Sequence, residues 1–263
     1  MFSSITIGQH IPGDSVIHRL DPRTKILLTL AVVIGIFFVE ELWGYVLLFL
    51  FVGAAVALSR ISPGYIVRGL RPLVIILILT FLLHLFMNPG KELFRLGPLI
   101  ATYAGVYKGV LMVGRLVLLV VATSLLTLTT SPIQLTDGME ALLRPARRIG
   151  VPAHELAMMM TIALRFIPTL LEETEKIMKA QMARGADFES GNIFQRAKSL
   201  VPLLVPLFVI AFRRADELAI AMEARCYRGG EGRTRMRQLK ATTDDYVASL
   251  VTVTFIVVVA VFL

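Results

Sequence analysis

The chain has 263 residues, of which 56% are hydrophobic and 17% charged, and its mean hydropathy is +0.74. Soluble domains carry about 25% charged residues, so this composition excludes an ordinary soluble domain and indicates a membrane protein. The net charge of +8 fits the excess of lysine and arginine on the cytoplasmic side of membrane proteins, and we expect no nucleic-acid partner. The single cysteine, Cys226, excludes an internal disulfide.

Residues 1–25 form a polar N-terminal segment without the apolar core of a cleavable signal peptide. The segment ends in a basic run, HRLDPRTK, at residues 18–25. Positive charges beside the first spanning helix favour the cytoplasmic side of the membrane. We therefore expect this segment inside the cell, where it orients the next helix.

Residues 26–130 are predicted to hold four membrane-spanning helices. The acidic pair Glu40–Glu41 divides the first apolar stretch into two spans, because two carboxylates inside the bilayer would be costly. A basic connection at 59–72 and a loop at 88–103, with a turn signal at Gly97–Pro98, separate the others. The four predicted spans are Ile26–Val39, Leu42–Leu58, Leu73–Met87 and Val106–Thr130.

The spans contain few polar side chains. His84 is interpreted as a structural or interfacial histidine, and Arg115 is expected to reach the membrane surface or to pair with another helix. Three hydroxyls lie on one face of the fourth span, at Thr123, Thr127 and Thr130. They favour hydrogen bonds between helices over a substrate path.

The segment at residues 131–240 is predicted to be a cytoplasmic or interfacial module of long coupling helices. Ser131 and Gln134 form a capping box at the start of its first helix, and Gly150 ends that helix. The second helix is predicted from Pro152 to Arg184. Basic loops before it and the acidic hairpin at 40–41 place this module on the cytoplasmic side.

The second helix is amphipathic and too charged to cross a bilayer, so we expect it along the membrane or against partner helices. Pro168 predicts a kink. Glu172 with Lys176, and Glu175 with Lys179, have the spacing of ion pairs on its wet face.

The third helix is predicted to follow Gly191, to lead through Ala219–Ala224 to Arg225, and to end at Gly229–Gly230. Its apolar part, Leu200–Phe212, is too short and too rich in proline for a clear span, which leaves open whether it is inserted. The last segment, residues 241–263, contains the uninterrupted apolar run Tyr246–Leu263 and is predicted to span the membrane, with the C-terminus outside. The fold class is thus all-α integral membrane, with about five spans.

The sequence lacks the common catalytic and nucleotide-binding motifs. It contains no zinc-protease HExxH, no CxxC, no phosphate-binding loop and no GxSxG. We therefore expect a non-catalytic protein without a cofactor or metal of its own.

Two short arginine motifs lie where the long helices end: QMARGADF at 181–188, centred on Arg184, and AMEARCYRGG at 221–230, centred on Arg225. An arginine offers a planar fork of five donors, and at the tip of a rigid helix it can enter a groove on a partner. Two such tips suit a partner with two similar grooves, such as a dimer. The alternative is that both arginines only stabilise helix C-termini through the helix dipole.

The chain resembles the T component, the transmembrane scaffold, of energy-coupling factor transporters, which are ABC-type importers of vitamins and metal ions in prokaryotes. The resemblance covers essentially the full length. Four stretches carry it: HRLDPRTK (18–25), TTSPIQLTDGMEALL (129–143), HELAMMMTIALRFIPTLLEETEKIMKAQMARGADF (154–188) and AMEARCYRGGEGRT (221–234).

The resemblance implies two ATP-binding cassette subunits, which bind the ATP, docked below the membrane and a small substrate-binding membrane protein alongside. The family's paired Ala-Arg-Gly motifs, which sit in grooves of the two ATPases, correspond here to Ala183-Arg184-Gly185 and Ala224-Arg225-Cys226. Cysteine enters a left-handed turn less easily than glycine. We therefore expect the end at Arg225 to differ, with Gly229–Gly230 as its stop.

The resulting hypothesis is a scaffold in a prokaryotic cell membrane that converts ATP-driven movement of two ATPases into movement of a substrate-carrying subunit. Met158, Met159 and Met160 are candidates for the interface with that subunit, because methionine surfaces tolerate repacking. The alternatives are a self-sufficient secondary transporter or channel and a conventional ABC permease. The substrate, and whether the scaffold is shared by several substrate-binding subunits, stay open.

Overall fold

A computed structural model describes residues 10–96, 99–188, 192, 194, 198–229 and 238–262. The described chain is helical apart from one two-stranded hairpin, which confirms the predicted all-α membrane class. It divides into two compact units, one built mainly from residues 8–141 and 237–263 and the other from residues 142–236. The predicted turn at Gly97–Pro98, the helix start at Gly191 and the stop at Gly230 lie outside the described residues.

The described chain consists of the following helices and strands, in chain order. Their bounds are α1 Val16–Arg19, α2 Pro22–Phe38, α3 Leu42–Ser59, α4 Pro63–Leu70, α5 Val74–Met87, β1 Glu92–Leu96, β2 Leu99–Thr102, α6 Tyr103–Thr129, α7 Pro132–Leu143, α8 Ala153–Ala183, α9 Val201–Ala224 and α10 Thr243–Phe262. Short 3₁₀ turns, Arg71–Leu73 and Arg144–Ile149, follow α4 and α7.

The first unit has its core where α2, α3, α6 and α10 meet. Ile36, Leu48 and Leu118 are almost fully buried there, and Val259 contributes from α10. The rings of Phe51 and Phe255 stack with centroids 4.3 Å apart. This packing gathers the helices of the first, second and fourth predicted spans and of the predicted C-terminal span into one bundle.

The break between the first two spans is confirmed. α2 ends at Phe38 and α3 begins at Leu42, so Glu40 and Glu41 lie between the helices. The start of α2 also follows from its sequence, since the Asp21 carboxylate accepts a hydrogen bond from the Arg23 N–H at 2.9 Å and Pro22 occupies the first turn.

Arg115 joins α6 to this break, as the pairing alternative predicted. Its Nε donates to the Tyr45 hydroxyl at 2.7 Å and its Nη2 to the Val39 carbonyl at 3.1 Å. The guanidinium also lies over the Phe37 ring, 5.5 Å from the centroid. The charged side chain therefore fixes the end of α2 and the start of α3 against α6.

Two predicted connections are more ordered than expected. The prediction of a loop for the basic connection at 59–72 is wrong, because α4 and a 3₁₀ turn occupy most of this connection and lead into α5. Pro63 is in the first turn of α4, where a missing N–H costs nothing. The loop at 88–103 was also wrong, because β1 and β2 pair there as an antiparallel hairpin.

The predicted hydrogen bonds between helices are wrong for Thr123 and Thr127, which bond within α6. The third hydroxyl of the set, Thr130 Oγ1, is buried and has no hydrogen-bond partner among the described residues. Thr123 Oγ1 donates to the Leu119 carbonyl at 2.8 Å, and Thr127 Oγ1 donates to the Ser124 carbonyl at 3.0 Å. Threonine hydroxyls can reach carbonyls three or four residues earlier in a helix. Short-range bonding therefore satisfies the hydroxyls of Thr123 and Thr127 before a neighbouring helix can.

Four helical segments of the described chain are long and apolar enough to cross a membrane: Leu42–Ser59, Pro63–Met87, Tyr103–Thr129 and Ala153–Ala183. The last is α8, which the sequence predicted as too charged to span. Its apolar character belongs to the first half, since five charged residues follow between 172 and 179. α2 and α10 have 17 and 20 residues, and the count of five spans stays a prediction.

Glycine allows α5 and α6 to approach closely, which gives a first test. A Cβ added to Gly105 would lie 2.5 Å from the Leu85 carbonyl oxygen and 2.7 Å from that of His84. Both obstacles are backbone atoms that cannot rotate away. We expect Gly105→Ala to lower the free energy of unfolding by about 1–3 kcal/mol, as overpacking does, in thermal unfolding of the detergent-purified protein.

Gly53→Ala is the matched control, because no heavy atom lies within 4 Å of the added methyl group. Its unfolding midpoint should stay the same or rise slightly, since alanine is the better helix former. Equal midpoints for the two variants would contradict a backbone contact between α5 and α6.

Candidate docking site at two helix ends

The second unit carries both arginine motifs on the helices α8 and α9. α8 runs over 31 residues and ends at Ala183, close to the predicted Pro152–Arg184. α9 contains Pro202 in its first turn and Pro206 inside, and it ends at Ala224. Each arginine is therefore the residue that immediately follows the last helical residue.

The end of α8 is closed by two backbone hydrogen bonds. The Gly185 N–H donates to the Met182 carbonyl, and the Ala186 N–H donates to the Gln181 carbonyl, both at 3.0 Å. Gly185 has a φ of +87°, the left-handed conformation that this closure requires. The Schellman turn leaves Arg184 at the C-cap with φ −92° and ψ 8°.

The end of α9 has the same geometry, so the expected difference at Cys226 is wrong. The Cys226 N–H donates to the Glu223 carbonyl at 2.8 Å, and the Tyr227 N–H donates to the Met222 carbonyl at 3.0 Å. Cys226 itself takes the left-handed conformation, with φ +56°, and Arg225 caps the helix with φ −91° and ψ 12°. The carbonyls of a helix end need partners, and this requirement outweighs the preference of the turn for glycine.

Both arginine motifs are accessible. The side chains of Arg184 and Arg225 are exposed, as are the flanking residues Ala183, Gly185, Ala224 and Cys226. The residue that closes each turn, Ala186 in one and Tyr227 in the other, is half-buried. The small alanine before each arginine leaves space around the guanidinium for a partner.

α8 and α9 run in opposite directions, which sets the motifs apart. Arg214 Nη2 lies 3.8 Å from Glu173 Oε1, whereas the Tyr227 hydroxyl lies 3.5 Å from His154 Nε2. Moving forward along α8 thus means moving backward along α9. Arg225 therefore lies towards the start of α8 and Arg184 at its end. Thirty residues of helix separate His154 from Arg184, on the order of 45 Å along α8.

Glu173 forms an ion pair across the two helices, with its Oε1 3.8 Å from Arg214 Nη2. Its carboxylate also accepts a hydrogen bond from Lys176 Nζ at 3.0 Å. Lys176 was expected to pair with Glu172, and that prediction is wrong by one residue. Residues three and four positions apart both lie on one face of a helix, so Lys176 can reach either Glu172 or Glu173. It pairs with Glu173, which also lies near Arg214 on α9.

The sequence predicted two corresponding motifs but expected their helix ends to differ, although a signal for equal turns was present. QMARGA at 181–186 and MEARCY at 222–227 align residue for residue around the arginine, with an alanine before it in both. The aligned positions make the same hydrogen bonds. The contacts of Glu173 with Arg214 and of Tyr227 with His154 had no such signal, since they join residues far apart in sequence.

The methionines predicted at a partner interface differ in exposure. Met159 is 54% and Met160 44% exposed, whereas Met158 is half-buried. Successive residues point about 100° apart on a helix, so three in a row cannot share one face. Ala153 and Ala157, four residues apart, are buried and mark the packed side of α8.

Comparison with known proteins is consistent with a transport subunit. The sequence pattern of the family described as cobalt transport protein, CbiQ, matches residues 13–236. The energy-coupling factor transporter transmembrane protein EcfT of Thermosediminibacter oceani is 67% identical over 248 residues, covering 94% of both chains. The proteins of the same name from Clostridium kluyveri and Bacillus subtilis are 57% and 51% identical and cover 95% and 93% of this chain and 93% of each relative.

The equal turns at the two helix ends give a test with a matched pair. Gly185→Ala should lower the free energy of unfolding by about 1 kcal/mol, because alanine replaces glycine in a left-handed conformation. Cys226→Ala should change it by less than about 0.5 kcal/mol, since neither residue is glycine. Denaturant unfolding in detergent measures both. A larger loss in Cys226→Ala than in Gly185→Ala would contradict the equivalence of the turns.

Proposed function

The chain belongs to the cobalt transport protein family, CbiQ, and is a transmembrane component of energy-coupling factor transporters. We propose that Arg184 and Arg225 dock this component onto two ATPase subunits. In this proposal α8 and α9 transmit the movement of the ATPases to a substrate-binding membrane subunit. The observation that carries it is that the C-terminal ends of α8 and α9 have the same geometry and each presents one exposed arginine.

Two equal tips suit a partner with two equal grooves. ATP-driven subunits that act as a homo- or heterodimer present the same surface twice, related by a two-fold axis or nearly so. A guanidinium recognises a carboxylate or a cluster of carbonyls through paired donors, and a rigid helix end loses little freedom on binding. Because Glu173 ties α8 to α9, closure of the grooves would move both helices together.

The competing explanation is that the arginines only stabilise their helix ends. A positive charge near a helix C-terminus is favourable by about 0.3–1 kcal/mol, whichever cation supplies it. Lysine would replace arginine in that role. It would not replace the planar fork that a docking groove recognises.

We expect the double variant Arg184→Ala, Arg225→Ala to lose at least tenfold in co-purification of the nucleotide-binding subunits, because both paired-donor contacts are removed. The Arg184→Lys, Arg225→Lys variant should lose most of it as well. The measurement is the amount of ATPase retained per membrane chain after affinity purification from co-expressing cells.

Arg213→Ala is the matched control, because Arg213 is an exposed arginine on α9, eleven residues before the C-terminal helical residue. It should retain the ATPases at the wild-type level. Normal assembly and transport by the double alanine variant would end the docking proposal. Normal assembly by the lysine variant alone would support the helix-end explanation.

The self-sufficient secondary transporter needs paired polar groups within the spans for its substrate. Arg115 does not supply one, since its described partners are the Tyr45 hydroxyl and the Val39 carbonyl, which hold three helices together. We therefore assign substrate recognition, of a vitamin or another micronutrient or a metal ion, to the separate membrane subunit. Met159 and Met160, exposed near the start of α8, are our candidates for its docking surface.

We propose that the N-terminus and both arginine motifs face the cytoplasm of a prokaryotic cell. The proposal rests on the basic residues just before and within the first turns of α2 and around α4, since positive charges favour the cytoplasmic side, and on Glu40 and Glu41, which follow one predicted span after the first basic run. Cys226, the single cysteine and exposed, reports this directly. In vesicles holding the chain without its partners, a membrane-impermeant maleimide should label Cys226 only when the vesicles are inside-out.

The control is Glu41→Cys combined with Cys226→Ser, which should be labelled only in right-side-out vesicles. Labelling of Cys226 in right-side-out vesicles would reverse the proposed orientation.

A further inference from the structure

A large apolar cavity lies in the first unit. Its volume is about 510 Å³, and side chains of α1, α2, α3, α6 and α10 line it. Apolar cavities of about 150 Å³ already bind benzene-sized molecules. This cavity is thus large enough for a flexible hydrocarbon chain.

The cavity is open to its surroundings rather than sealed. Leu58 of α3, Val247 and Val251 of α10 line it and are 61%, 60% and 53% exposed. Around spanning helices the medium is hydrocarbon, so an apolar cleft there does not hold water. An acyl chain is the molecule that this medium supplies.

One end of the cavity is polar and has both signs of charge. Among the described residues that line it, Lys25 and Asp244 are charged. Lys25 is 5% exposed, and its Nζ donates to the His18 and Thr129 carbonyls, both at 3.0 Å. An ammonium has three N–H groups, so these two bonds leave one for a ligand.

The two aspartates at the start of α10 have different roles. Asp245 is buried and saturated, because its carboxylate accepts hydrogen bonds from the Asp21 N–H and from the N–H and hydroxyl of Thr242. Asp244 is exposed at the cavity rim. The carboxylates of Asp245 and Asp21 also act on the Lys25 ammonium, and Asp244 has no hydrogen-bond or ion-pair partner among the described residues. The rim therefore has no excess of positive charge, which suits a zwitterion better than an anion.

We propose that this cavity binds one membrane phospholipid with a phosphoethanolamine headgroup. An acyl chain lies between α3 and α10, the phosphate accepts the remaining N–H of Lys25, and the headgroup ammonium pairs with Asp244. The lipid would fill the wall of the bundle beside the segment that connects α6 to α7. The proposal is independent of the docking of ATPases and rests on the membrane placement of the chain alone.

The test is the lipid retained by the full-length chain after purification from membranes and extensive washing in mild detergent, counted by mass spectrometry of the extract. We expect about one phosphatidylethanolamine per chain. Ala55→Phe should reduce this at least fivefold, because Ala55 lines the cavity and the ring would fill it. Ala57→Phe, on the same helix but exposed and away from the lining, should keep the lipid.

The headgroup is tested by exchange with vesicles of phosphatidylethanolamine or phosphatidylglycerol. The wild type should retain the first in at least fivefold excess, and Asp244→Asn should remove that preference without emptying the cavity. A phosphatidylethanolamine with a photoreactive acyl chain, added to membranes with the unmodified chain, gives a readout that needs no variant. It should label α3 and α10 at the cavity.

Unchanged lipid in Ala55→Phe, or photolabelling confined to other faces of the bundle, would overturn the site. Protection of the cavity from the photoreactive lipid by a bound membrane protein would also overturn it, because the cleft would then be a protein interface. Equal retention of both headgroups by the wild type would overturn the assignment of Asp244.

Discussion

The closure of two helix ends is the constraint that determines where both arginine motifs lie. The last carbonyls of α8 and α9 have no partner inside their helices, so the chain must turn left-handed to satisfy them. That turn takes place at Gly185 and Cys226, with φ +87° and +56°. The residue before the turn is thereby fixed at the tip of the helix, and in both helices it is an exposed arginine.

The antiparallel pairing of α8 and α9 sets the positions of the two arginine tips relative to each other. Because the helices run in opposite directions and meet at Glu173 and Arg214, the two tips point to places far apart rather than to one site. A single arginine at a helix end has a sufficient explanation in the helix dipole. The dipole does not require two arginines in the same geometry, held apart by a long helix. A pair of ATPase grooves would require them, and this is the basis of the docking proposal.

Much of this architecture could be predicted from the sequence, because it depends on local rules. The carboxylates of Glu40 and Glu41 predicted the first break, and the capping box of Ser131 and Gln134 is present with hydrogen bonds of 3.1 and 3.3 Å. The periodicity of α8 gave its ends within one residue. The predictions that were wrong concerned features that depend on contacts between distant residues or on a competition between local conformational preferences. The hairpin at 92–102 needs pairing between strands, and Cys226 adopts a strained conformation because two carbonyls require it.

The most direct measurement places a photo-crosslinking amino acid at Met182 and, separately, at Glu223, the exposed residues two positions before each arginine. The arginines themselves stay intact. In membranes containing the assembled transporter, both positions should crosslink to the nucleotide-binding subunits, and the same probe at Arg213 should not. If the probes at positions 182 and 223 crosslinked only to lipid, or to no ATPase subunit, this would contradict the claim that these helix ends dock the chain onto the ATPase subunits.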